Sequence, residues 1–137
     1  MAVAVFDADV LIAYLTRGDA HHARARERVR ASLAPGVERR ICAVTLSEIL
    51  VGPIRAGRAE IVEQMLARLS IETGHVDAVL ARSAATVRAR TGLRLPDAYV
   101  LATALHAERQ GVEEVRIETF DRSLARARAR LSAGEMT

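Results

Sequence analysis

Apolar positions along this chain switch between two spacings, and that switching predicts strands separated by helices. Ala2 to Phe6 is a short, nearly continuous apolar run, as expected of a strand buried on both faces. It stops at Asp7, and Val10 to Leu15 then reads as a short helix. Asp19 is a candidate N-cap for a second helix to about Leu33, closed by Ala34-Pro35-Gly36. Arg40 to Val44 predicts a second strand, and Thr45 opens a helix through about Val51, disturbed by Gly52-Pro53. A helix over Arg58 to Leu69 and a short strand near Ser70 to Glu72 follow.

From Val76, apolar residues recur at Val79, Leu80, Ala84 and Val87, a helical period closed by Thr91-Gly92. Pro96 introduces a helix from Asp97 to about Gln110 that is apolar nearly all round and therefore expected between layers. Glu114 to Glu118 predicts a fourth strand, and Ser123 to Leu131 a final helix rich in Arg and Ala. Strands alternating with helices imply an α/β fold: a three-layer α/β/α domain around a mainly parallel sheet of four or five strands. The 137 residues suit one domain, with no repeat or linker and a tail expected to fray after about residue 131.

Composition narrows the function. Half of the chain is hydrophobic, enough for a packed core, and the 27% charged fraction argues against disorder. The aromatic residues are Phe6, Tyr14, Tyr99 and Phe120, too few for a base-stacking platform of the RRM or OB type. All twenty basic side chains are Arg, whose planar forks suit phosphate and carboxylate alike; the net charge is only +3. Cys42 stands alone, so no internal disulfide forms, and its place in a predicted strand makes it a buried thiol rather than a nucleophile. No positively charged leader precedes the first strand, and Asp7 and Asp9 interrupt the apolar stretch that follows. Neither a signal peptide nor a membrane span is expected, and the expected location is the cytoplasm.

The placement of the acids carries the chemistry. Of six Asp residues, Asp7 directly follows the first strand and Asp121 lies just beyond the fourth. Glu48 and Asp97 each fall in the first turn of a helix. In an open parallel sheet, ligands gather at the carboxyl ends of the strands, so these four acids are expected around one mouth. Crowded carboxylates repel unless a cation neutralises them, and an all-oxygen set with no nearby His or Cys suits Mg²⁺ or Mn²⁺ rather than zinc. Such ions clamp phosphate oxygens and acidify a bound water, as phosphodiester hydrolysis requires. Each acid alone has a structural explanation. Thr45-x-x-Glu48 reads as a capping box, Asp97 as a first-turn acid, Asp9 and Asp121 as N-caps, and Asp7 as a turn residue. His21-His22, His75 and His106 read as structural or surface residues, and the Arg24–Arg30 and Arg122–Arg130 runs as solvated faces.

Four segments decide between these readings. Val5-Phe-Asp7-Ala-Asp9-Val-Leu-Ile12, Ala43-Val-Thr45-Leu-Ser-Glu48-Ile-Leu, Gly92-Leu-Arg-Leu-Pro-Asp97-Ala-Tyr-Val-Leu-Ala-Thr-Ala-Leu105 and Glu118-Thr119-Phe-Asp121 resemble, in order and spacing, the acidic motifs of PIN domains. The likeness covers nearly the whole length and points to a VapC-type toxin of a toxin–antitoxin pair. It implies that Asp7, Glu48, Asp97 and Asp121 bind Mg²⁺ (Mn²⁺ being the alternative) and cut RNA. It further implies that Asp9 assists, that Thr119 orients Asp121, and that the partners are a cognate antitoxin and a second copy of the chain. Family members often end in a fifth strand, for which Leu131 to Thr137 supplies no clear candidate.

Two rival readings remain. A phosphatase of the haloacid dehalogenase type would use Asp7 of Asp7-Ala-Asp9 as its nucleophile, but that chemistry usually needs a Lys, which the chain lacks. A non-catalytic PIN-like module would bind RNA or protein without cutting it, and would have no use for four acids where RNA must approach.

Overall fold

The computed structural model describes residues 1–132, and its helices enclose a single sheet on both faces. The order along the chain is β1 (Ala2–Phe6), α1 (Ala8–Leu15), α2 (His22–Ser32), β2 (Val37–Cys42), α3 (Ala43–Arg55) and α4 (Glu60–Arg68). It continues with β3 (Ile71–Gly74), α5 (Ala78–Thr91), α6 (Leu95–Arg109), β4 (Glu114–Glu118) and α7 (Arg122–Arg130). All pairings in the sheet are parallel, and the strand order is β3-β2-β1-β4. The expected three-layer α/β/α architecture is therefore what the chain adopts. Among the described residues the sheet has four strands; residues 133–137, most of the expected frayed tail, lie outside the described residues.

Strand β1 is buried along its whole length because both of its faces meet helices. Val3 and Val5 pack with Val87, Leu101, Leu105 and Leu124 under α5, α6 and α7. Ala4 and Phe6 face the other way, into Leu11, Val29, Ile49 and Met65 of α1 to α4. Its central place makes β1 the point where the strand order reverses, since β2 pairs on one side and β4 on the other. Helix α6, read as apolar all round, is buried at nine positions and touches three strands as well as α3, α5 and α7.

Boundaries differ from the sequence reading for local reasons. β2 starts earlier, at Val37, because Arg39 is half-buried and donates to the carbonyls of Leu69 and Ser32, each at 2.6 Å. Its guanidinium thus joins the ends of α2 and α4 inside a run that looked too charged for a strand. Helix α3 begins at Ala43, with Cys42 as N-cap, and continues through Pro53 to Arg55. Thr45 is consequently an interior, buried residue, and the expected capping box with Glu48 does not form. Asp7 rather than Asp9 caps α1, accepting from the Ala8 N–H at 2.8 Å. Asp19 bonds the His21 N–H at 2.8 Å one turn before α2, whose N-cap is His21. Asp77, not anticipated as a cap, accepts from the Leu80 N–H and starts α5 at Ala78. Gly92 ends α5 with a left-handed φ of 74°, the conformation that glycine adopts at least cost.

Leu101 is fully buried between the sheet and its neighbouring helices. Leu101→Ala is expected to lower stability by about 2–5 kcal/mol, through lost burial and the cavity left behind. Denaturant unfolding monitored by circular dichroism measures this directly.

Candidate functional site

Because every strand runs the same way, all four carboxyl ends open on one edge of the sheet. Asp7 leaves the centre of that edge, and its N–H donates to the Glu118 carbonyl at 3.0 Å, which extends the β1–β4 ladder by one residue. One carboxylate oxygen of Asp7 caps α1; the other accepts from the Thr119 hydroxyl at 2.7 Å. Asp9, in the first turn of α1, accepts from the Phe120 N–H at 3.0 Å through Oδ2. Asp121 caps α7 by accepting from the N–H groups of Ser123 and Leu124 at 2.8 and 3.2 Å. The loop after β4 is thereby tied to the N-cap and the second residue of α1.

Thr119 is the pivot of this arrangement. Its hydroxyl donates to Asp7 and accepts from the Asp121 N–H at 3.0 Å. The expected contact between Thr119 and Asp121 runs through the Asp121 backbone N–H, while the Asp121 carboxylate accepts from Ser123 and Leu124. The Thr119 hydroxyl joins the chain's first and last acidic motifs, beside the bond from the Phe120 N–H to Asp9.

Asp97 enters from the first turn of α6, pairing with the Arg94 guanidinium at 3.5 Å, and Glu48 enters from α3. The acids feel one another. Burial, then repulsion from Asp9, push the Asp7 carboxyl up to about 7, with a further contribution from Asp97. Asp9 is raised by burial and by Asp121, against the Phe120 and Val10 N–H groups. Glu48 is raised by burial and by Asp97, with Arg94 opposing, and Asp97 by burial and Asp121, again with Arg94 opposing. The five carboxylates therefore share one electrostatic neighbourhood.

Two oxygens in that neighbourhood, Asp9 Oδ1 and Glu48 Oε1, are buried without a hydrogen-bond partner. Unpaired buried acceptors are costly, and a cation would satisfy both. Among the described residues, however, no three His, Cys, Asp or Glu side chains form a ready-made ligand set for a metal ion. Several carboxylate oxygens are occupied by Ala8, Thr119, Phe120, Ser123 and Leu124. The donor chemistry fits Mg²⁺ nonetheless, because that ion is usually held by one or two carboxylates and completes its shell with water and phosphate oxygens.

The other singled-out residues fall outside this cluster or beside it. His21 lies against the Phe120 ring, His22 Nδ1 contacts the Ala13 carbonyl at 2.8 Å, and His75 and His106 are exposed. The arginine runs are not uniformly solvated. Arg28 pairs with Glu118, and Arg128 pairs with Glu108 and donates to the Val115 carbonyl at 3.0 Å. Sequence reasoning missed Arg94 and Phe120; their positions beside Asp97 and Asp121 were the available signal.

The raised carboxyls predict a specific pH dependence. In the fold Asp7 keeps its proton to about pH 7, whereas its ordinary value is 3.8. Between these limits the folded state binds more protons, so this group's contribution to stability is present at low pH and lost as pH rises through 7. Asp7→Asn can keep both contacts, with its oxygen on Ala8 and its amide on Thr119, whose hydroxyl then turns to Asp9 at 3.5 Å. The melting temperature of Asp7→Asn relative to the parent, in chelator, is expected to climb from pH 4 and to level off once pH passes about 7. A difference that stays flat over that range contradicts the buried, repelled carboxyl.

A sequence model of the PIN domain family matches residues 4–130. No curated protein sequence matches the chain. Among solved structures, VapC20 of Mycobacterium tuberculosis, a sarcin-ricin loop cleaving toxin, is 25% identical with a TM-score of 0.67, over 90% of this chain and 94% of that one. A toxin-antitoxin complex from Klebsiella pneumoniae matches at 24% identity and a TM-score of 0.65, over 86% of each chain. VapBC2 from Rickettsia felis, bound to a DNA fragment from its promoter, shares the fold at 12% identity and a TM-score of 0.59, over 87% of this chain and 99% of that one. With the motif order, the parallel sheet and the acidic edge in agreement, the chain belongs to the PIN domain family.

Proposed function

We propose that this protein is a Mg²⁺-dependent endoribonuclease, the toxin of a toxin–antitoxin pair. The observation that carries the reading is the convergence of five carboxylates at the strand ends, with two buried oxygens left without partners. Asp7, Glu48, Asp97 and Asp121 would hold the ion, Asp9 would assist, and Mn²⁺ is the alternative metal. Bound there, the ion supplies charge neutralisation, polarisation of the phosphodiester and a more acidic water.

The chain's own residues set the geometry. Ala8 and Thr119 fix Asp7 at the mouth of the sheet, and Thr119 fixes the start of the Asp121 turn. Glu48, whose carboxyl is raised by burial, would present one oxygen to the ion, and its other oxygen is suited to accept a proton from the attacking water. Arg94 partly neutralises Asp97 in the free protein and would turn to the RNA phosphate when a cation takes over that role.

An antitoxin partner fits a second feature. A cleft of about 440 Å³ between α1, α3 and α4 is lined by Ile12, Leu15, Ile49, Pro53 and Ile61 and reaches Glu48. Ile12 and Ile54 are exposed nearby. An amphipathic antitoxin segment would lay its apolar side there and bring an Arg to the acids. The toxin likeness extends the reading to a homodimer in the cytoplasm; among the described residues no helix is long and apolar enough to cross a membrane.

Incubation with total RNA is expected to show cleavage in Mg²⁺ and none in EDTA. Asp7→Asn and Asp97→Asn should abolish cutting with the circular dichroism spectrum unchanged. Glu48→Gln should cost about 10²–10⁴-fold in rate, and Thr119→Val about 10–100-fold. An Asp97→Asn protein that cuts at the parent rate defeats the assignment. RNA binding with no cleavage in either metal points to the non-catalytic module, and a phosphoryl group trapped on Asp7 to the phosphatase.

A further inference from the structure

Phe120 stands between Thr119 and Asp121, and its N–H bond to Asp9 fixes it at the border of the acid cluster. Its ring carries the guanidinium carbons of Arg24 and Arg28 at 4.7 and 5.3 Å from its centre, and the His21 ring at 5.1 Å. Arg24 and Arg28 are four residues apart on α2, one turn, so both reach the same ring.

The two charges are used differently. Arg28 is half-buried, pairs with Glu118 at 3.1 Å and donates to the Thr119 carbonyl at 3.2 Å, so its charge is spent holding the end of β4. Arg24 is exposed, touches His21 Nδ1 at 3.5 Å, and pairs with no carboxylate among the described residues. An aromatic face holds a guanidinium in place without cancelling its charge, and leaves its N–H edge free. Arg122, at the start of α7, opens onto the same cleft of about 430 Å³ and also pairs with no carboxylate among the described residues. Thr119 and Asp121 line that cleft too, so it runs into the acidic edge.

We propose that this cleft holds a phosphate of single-stranded RNA adjacent to the one being cut, with Arg24 and Arg122 as its ligands and Phe120 as the positioning residue for Arg24. The inference rests on the ribonuclease reading and deepens it. RNA approaching five carboxylates is repelled, and neutralising one phosphate at the metal leaves its neighbours unscreened. A fixed, uncancelled Arg beside the acids answers that need. An acidic peptide could enter the cleft, but nothing would carry it onward to the carboxylates, whereas a phosphodiester chain has anions for both places.

The test measures binding of a short single-stranded RNA to Asp97→Asn protein in Mg²⁺, and steady-state cleavage by the otherwise unaltered enzyme. Arg24→Gln is expected to weaken binding roughly tenfold and to flatten the slope of log affinity against log salt by about 0.7. Phe120→Leu, which keeps the apolar bulk and the Asp9 bond, should cost roughly threefold through a misplaced Arg24. Both should raise KM and leave kcat unchanged. Arg30→Gln, on the same helix and exposed, should stay within about twofold of the parent, which separates the cleft from general charge. Parent-like affinity and salt slope for Arg24→Gln, or an effect confined to capture of an acidic protein partner, overturns the proposal. If the parent cuts RNA and Arg24→Gln changes nothing, the cleft fails and the nuclease reading survives. If the parent never cuts but Arg24→Gln still loses RNA, the cleft stands and the nuclease reading falls.

Discussion

Mutual repulsion among carboxylates at one end of a parallel sheet is the constraint around which this protein is built. Asp7, Asp9, Glu48, Asp97 and Asp121 come from four separate stretches of chain, and the shifts in four of them trace to burial and to one another. A fold that served stability alone would disperse such charges, because each burial is unfavourable without a partner. The chain instead holds them at the point where the strand order reverses, where an open sheet leaves a crevice.

Holding like charges together requires hydrogen bonds that do not neutralise them. Backbone N–H groups at the starts of α1 and α7 and a single threonine hydroxyl supply these bonds. N–H groups at helix starts also carry partial positive charge, which favours an anion there. The role of Asp7 and Asp121 as helix caps is therefore part of the same arrangement that makes them candidates for metal binding. Arg94 adds an exposed counter-charge at Asp97 that solvent screens and a bound phosphate could recruit.

Within an all-arginine basic set, five residues fall into two groups. Arg28, Arg39 and Arg128 turn inward, spending their donors on carbonyls at the ends of strands and helices. Such bonds stitch the layers where backbone groups would otherwise lack partners. Arg24 and Arg122 stay outward beside the acidic edge, and the Phe120 ring is what distinguishes Arg24 from a freely solvated side chain. The same residue type thus closes the scaffold and, on our proposal, receives the substrate.

Read alone, the sequence settled the alternation of strands and helices, the buried central strand and the buried α6, because apolar spacing records which faces leave water. It also placed Asp7 and Asp121 at strand ends and Asp97 in a first helical turn, since these are positions along the chain. It misjudged the start of β2 and the end of α3, where Arg39 found distant carbonyls and the helix ran on through Pro53. It could not show that Glu48 leaves the capping role, that one hydroxyl joins Asp7 to the Asp121 turn, or that Phe120 gathers Arg24 and Arg28. Those facts are distances between residues up to 112 positions apart. Periodicity fixes which way a side chain faces, but only packed layers decide what it meets there.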